Sequence, residues 1–239
     1  MNGLVLRDRL GAGIEVLRLN RPDKRNALDT PTLTVLTAAL QELGHDPELR
    51  ALVVSTTNVR ALSAGADVGE PLDHDGGITR MAAFTRLYQL IDEFPVPTIA
   101  VCVGNCVGAG AEIVAGCDLR VGGDNLKLAW AGARLGVPVG PARLAPLIGV
   151  ARAKDLILTG RAIGMVEAER YGLLQRTATA DAAEDAALEL AASVAAQSAV
   201  GVRVLKQMFR DLDGTEQRIS YENERLMDFQ SHGGGLPTG

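Results

Sequence analysis

The chain has 239 residues, 47% of them hydrophobic, which is enough to bury one large core. Its formal net charge of −5 and sequence pI near 5.3 argue against a nucleic-acid binder that works through broad positive charge, while leaving room for a local basic patch. No apolar run is long enough to span a membrane and the N-terminus lacks the regions of a signal peptide, so the expected compartment is cytoplasmic.

Leu4–Arg9 and Ile14–Leu19 alternate apolar and polar residues across Gly11-Ala12-Gly13, which predicts a hairpin. A polar loop, Leu19–Asp29, carries Arg21, Lys24 and Arg25. Thr30 followed by Pro31 predicts an N-cap and first helical position, opening a helix to about Leu43. Ala51–Thr56 reads as a buried strand, and Ile78–Phe94 has helical periodicity. Further strands are expected at Thr98–Val103, Asp118–Val121, Leu126–Trp130 and Leu173–Thr177, with helical segments near Arg143–Ile148, Ala151–Thr159 and Val166–Tyr171. From Asp181 the pattern is helical, and the ending His232–Gly239 is expected to fray. A mixed α/β core over 1–180 is thus followed by a helical region over 181–239, whose apolar faces are expected to pack on the core and on neighbouring subunits. Cys102, Cys106 and Cys117 are odd in number and have no histidine beside them, so free thiols are expected rather than disulfides or metal ligands.

The chemistry concentrates between Pro97 and Asp118. A short apolar strand leads into Gly104, Gly108 and Gly110, and then into an apolar helix containing Glu112. If the helix begins near Gly108, the Ala109 amide lies in its first turn without an intrahelical acceptor, at the end that carries partial positive charge. Such an amide suits a developing oxyanion. Glu112 lies three residues on, and helical side chains lean toward the N-terminus, so its carboxylate is expected to overhang that spot. The same glutamate also reads as an ordinary paired carboxylate of an apolar helix. P-loop, HExxH, GxSxG and GxGxxG patterns are all missing.

Three segments in order, LNRPDKRNALD (19–29), LSAGADV (62–68) and VGAGAEIVAGCDLRV (107–121), resemble the crotonase, or enoyl-CoA hydratase/isomerase, superfamily. The resemblance covers roughly Leu4–Thr177. It implies an α/β fold, a crotonase-like spiral of ββα units with a helical C-terminal region, and trimers or hexamers. It also implies an acyl-CoA thioester ligand, with coenzyme A as part of the substrate and no separate cofactor. By matching motifs, the amides of Ala66 and Ala109 would form an oxyanion hole and Glu112 would be one of two catalytic glutamates. Ala64, Gly65, Asp67 and Gly108 belong to the same two segments. Lys24 and Arg25 fall in the segment that approaches the CoA phosphates, with Ala27 nearby, although a solvated basic loop would read the same way.

Two departures matter. The run Leu128–Gly140, LAWAGARLGVPVG, places Gly132 where hydratases carry the second glutamate. Trp130, beside it, reads either as acyl-pocket wall or as core. The usual C-terminal Phe and Lys-Arg pair is also absent, leaving Lys206 and Arg210 as substitutes for a CoA contact or as exposed helix charges. A hydratase with one glutamate, a double-bond isomerase and a non-catalytic acyl-CoA-binding protein all remain compatible with these residues.

Overall fold

The computed structural model describes residues 3–237. Val5–Leu10 (β1) and Ile14–Leu19 (β2) form the expected hairpin, with Val5 opposite Leu19 and Leu10 opposite Ile14. Thr30–Gly44 (α1) then leads to Ala51–Thr56 (β3), which pairs parallel to β2. The cap of α1 is Asp29 rather than Thr30: its Oδ1 accepts from Thr32 N at 2.9 Å, so Thr30 and Pro31 occupy the first helical turn.

From β3 onward each unit adds one strand to a large sheet and one to a small sheet. Ala61–Ser63 (β4) precedes His74–Asp92 (α2). Thr98–Cys102 (β5) and Asn105–Val107 (β6) precede Ala109–Gly116 (α3). Leu119–Gly123 (β7) and Lys127–Ala129 (β8) precede Pro141–Ile148 (α4), Val150–Thr159 (α5) and Met165–Arg170 (α6). Arg176–Ala178 (β9) closes the large sheet, whose order is β1-β2-β3-β5-β7-β9, and the small sheet runs β4-β6-β8, all parallel. These are the repeated ββα units expected from the sequence. The three-residue strands β4 and β6 were not predicted, being too short to show a period of two.

The central strands of the large sheet, β2, β3, β5 and β7, pair in parallel and are covered on both faces, as parallel strands require. Leu17, Leu19, Leu52, Val54 and Ala100 face the main core with α1, α2 and α3. The alternate residues Val16, Ala51, Val53, Ile99 and Val101 face Ala183–Ala195 (α7), which presents Ala183, Ala187, Ala191 and Ala195 to them. The four-residue spacing of these alanines puts them on one stripe of the helix. Packing therefore continues through the change of composition near residue 180.

Ala199–Asp213 (α8) behaves differently. Val200, Phe209 and Leu212 are 73%, 72% and 84% exposed, while Lys206 is buried, its ammonium donating to Val96 O at 3.0 Å and to Asp118 Oδ2 at 2.6 Å. Lys206 is thus a tie between α8 and the start of β5, not an exposed charge available to a phosphate. Thr215–His232 (α9) runs back across α2 and α4. The segment after α9 is not frayed over its described part: Gly235 N donates to Phe229 O and Leu236 N to Gln230 Oε1 at 3.0 Å, with Thr238 and Gly239 outside the described residues. Among the described residues no single helix is long and apolar enough to cross a membrane. All three cysteines are buried and free.

Candidate active site

The two motif loops meet at the small sheet. Asn26, buried, donates from Nδ2 to Thr56 Oγ1, Ala61 O and Leu62 O, and its Oδ1 accepts from Arg21 N at 2.7 Å. Around this anchor Ala64 N donates to Arg25 O, Leu28 N to Gly65 O, and Asp67 N to Leu28 O, each at 2.8–2.9 Å. Arg21 closes the loop from outside, bonding Ala27 O at 3.0 Å and Asp67 Oδ2 at 2.6 Å. That bond holds the Asp67 carboxyl below its usual range. Asp67 is therefore engaged as a strut, and it leaves the Ala66 N–H without an acceptor among the described residues.

Gly65 has φ +101°, and a Cβ there would lie 2.8 Å from Val107 O, so only glycine lets the 64–67 loop approach β6 this closely. Gly108, at φ +54°, turns the chain from β6 into α3. Its carbonyl accepts from Glu112 N at 3.0 Å, and the Ala109 N–H in the first turn has no acceptor among the described residues. The Ala66 and Ala109 segments thus wall one apolar cavity of about 240 Å³. Ala64, Gly65, Gly108 and Gly132 line it too, as do Tyr88, Leu226 and Leu236. Lys24 and Arg25 are exposed beside the first loop, and Ala27 is half-buried.

Trp130 does not line this cavity; it is 1% exposed and packed in the main core, where a Cβ on Gly140 would lie 2.8 Å from its ring. Gly132 is at the cavity wall, but a Cβ there would lie 2.9 Å from Val137 O and 3.0 Å from Val139 Cγ1. The second glutamate is therefore not merely missing. The 137–139 segment has closed over the space its stem would need.

Glu112 is fully buried, and its carboxylate does not line the cavity as the helix geometry alone predicts. It turns toward Arg143 of α4, with Oε2 accepting from Nη1 at 3.4 Å, while Oε1 has no partner among the described residues. Arg143 is shared. Its Nη1 donates to Glu222 Oε1 at 2.7 Å and its Nε to Asp92 Oδ2 at 3.0 Å. The Tyr88 ring lies 4.7 Å beneath its guanidinium and carries the cluster to the cavity surface. Glu222 Oε2 also accepts from Gly140 N and Ala142 N, capping α4, whose glycine N-cap supplies no side chain.

Three buried carboxyls thus face one guanidinium. Burial and the neighbouring Glu222 push Glu112 up to about 8, with Arg143 only partly offsetting them. Burial likewise raises Asp92 to about 6. Burial thus favours the protonated form of Glu112, the form that can donate a proton. Arg143, Asp92, Glu222 and Tyr88 escaped the sequence reading because residues 88 to 222 carry no common motif. The one local signal is Arg143 itself, a charge inside the otherwise apolar run Pro141–Ile148. Among the described residues no group of His, Cys, Asp and Glu could hold a metal ion.

Residues 9–233 match the sequence profile of the family described as enoyl-CoA hydratase/isomerase. The chain is 35% identical over 197 residues to a probable enoyl-CoA hydratase, echA8, of Mycobacterium tuberculosis, covering 81% of this chain and 76% of that one. It is 30% identical over 215 residues to the 2,3-dehydroadipyl-CoA hydratase of Escherichia coli, covering 89% and 84%. Among solved structures, an enoyl-CoA hydratase from Bacillus anthracis superposes with a TM-score of 0.82 at 26% identity, covering 94% of this chain and 91% of that one.

Proposed function

The chain belongs to the enoyl-CoA hydratase/isomerase family, and from that premise we propose that it adds water to a 2-enoyl-CoA thioester, using Glu112 as its one catalytic carboxyl. The observation that carries the reading is the pair of unpartnered amides, Ala66 and Ala109, on a single apolar cavity, with a buried carboxyl one helical turn beyond the second. Both N–H groups would receive the thioester oxygen and stabilise the enolate formed when C3 is attacked. A neutral carboxyl can serve both proton steps. Its O–H delivers a proton to C2 while its other oxygen takes one from the water that bonds to C3, and the group ends as it began. The 3.4 Å contact with Arg143 is long and Oε1 is free, so rotation of the Glu112 side chain toward the cavity breaks little. This chemistry calls for no cofactor beyond the CoA portion of the substrate.

Lys24 and Arg25 are exposed on the first motif loop, and the reading gives them the CoA phosphates. Titration calorimetry should show a CoA thioester binding more tightly than its free acid, and Lys24→Ala with Arg25→Ala weakening the thioester. The weakening should be larger at low salt, where charge is least screened. Unchanged affinity of the double variant at low salt removes both residues from the site.

The apolar face of α8 supports a symmetric homo-oligomer, a trimer or hexamer, in which Phe209 and Leu212 meet neighbouring subunits. Sedimentation should find such an assembly, and a monomer at micromolar concentration would contradict it.

A second reading, an acyl-CoA-binding protein without turnover, draws on one observation: among the described residues no carboxylate lines the cavity, and a side chain at Gly132 would meet Val137 and Val139.

A further inference from the structure

The segment after α9 returns to the cavity. Gly233 N and Gly235 N both donate to Phe229 O, and Leu236 N donates to Gln230 Oε1. The Gln230 amide is wedged between two glycines: a Cβ on Gly77 of α2 or on Gly235 would lie 2.7 or 2.8 Å from its Nε2. Arg80, fully buried, then spans the two walls of the site. Its Nη1 donates to Asp67 O at 2.9 Å, directly after the Ala66 amide, and its Nη2 donates to Pro237 O at 3.2 Å. One buried cation thus registers the returning segment against the oxyanion loop. Leu236, held between these ties, completes the apolar wall with Val68, Met81, Phe84 and Leu226.

We propose that Leu236 is a specificity-determining residue that limits the cavity to short apolar acyl chains. The inference rests on the acyl-CoA reading above. At about 240 Å³ the cavity lies below the usual range for small-molecule sites, and the acyl chain must share it with the thioester carbonyl. Among the described residues no charged side chain lines this cavity, so a carboxylate on the acyl tail would be buried there without a charged partner. Leu236 is half-buried and packs at the edge of the main core, so changing it reshapes the cavity wall from its outer side.

The test measures dissociation constants for saturated acyl-CoA thioesters of increasing chain length, which bind without reacting, beside kcat/KM for the matching 2-enoyl-CoAs. Leu236→Ala should shift the long-to-short preference toward long chains by about ten-fold or more, and Leu236→Trp should shift it toward short ones by a similar factor. Ratios that stay at the wild-type value in both variants, or move the same way in both, overturn the role of Leu236 while leaving the acyl-CoA reading intact. Failure of the unaltered protein to bind any acyl-CoA overturns the acyl-CoA reading, and the inference falls with it.

Discussion

Glu112→Gln is expected to lower turnover of a 2-enoyl-CoA by about 10² to 10⁴ while leaving thioester affinity nearly unchanged. Glutamine keeps the shape and a hydrogen bond to Arg143 but can neither give up nor accept the transferred proton. The Ala66 and Ala109 amides are untouched, so ground-state binding should survive. The substitution also has a signature in stability. A carboxyl raised from an ordinary value of 4.5 to about 8 binds more protons folded than unfolded between those values. Stability then falls as pH rises across that window and levels off above it. Melting curves at pH 5 and pH 8 should show the wild-type protein losing stability toward alkaline pH, and Glu112→Gln should flatten that trend. Full activity in the variant would make Glu112 a structural carboxyl.

Arg143→Met is expected to cost about 3–5 kcal/mol, the usual range for breaking a buried ion pair by removing one partner. Methionine keeps apolar bulk against Tyr88 but leaves Asp92, Glu112 and Glu222 buried together with no cation between them. For a chain of this size the melting temperature should fall by about 10 °C or more. The loss should be greatest at alkaline pH, where the three carboxyls are driven to ionise, and smaller near pH 5, where protonation removes their repulsion. Adding Asp92→Asn should recover part of it. A loss independent of pH and indifferent to Asp92→Asn would mean that Arg143 contributes through packing alone.

These two residues mark where the sequence was legible and where it was not. The hairpin, the buried parallel strands and the strand–glycine–helix step into α3 were readable because each is encoded locally. Gly65 and Gly108 occupy backbone regions that few other residues adopt, and the amides of Ala66 and Ala109 follow from them. The position of Glu112 in the chain was equally plain, but the direction of its carboxylate was not. That direction depends on Arg143, 31 residues away, and on Glu222, 79 residues further still. Helix geometry points a side chain toward a turn, and a buried guanidinium decides where in that turn the carboxyl settles. Lys206 was misread for the same reason. Its acceptors, Val96 O and Asp118, come from distant strand ends, and nothing in the α8 pattern announces them. Trp130 was ambiguous by residue type, and the close approach of Gly140 resolves it as core. Gly132 was recognisable as a departure, yet only the fold shows Val137 and Val139 closing over it.

The most direct test of the central claim is the reaction itself: a short 2-enoyl-CoA incubated with the unaltered protein across a range of pH, with the product identified by mass and the position of its double bond or hydroxyl. Hydration through a neutral Glu112 predicts a 3-hydroxyacyl-CoA, formed at a rate that is steady near neutrality and falls as pH rises through about 8, where Glu112 loses its proton. Tight binding of the thioester with neither hydration nor double-bond migration at any pH would contradict the account and leave an acyl-CoA-binding protein in its place.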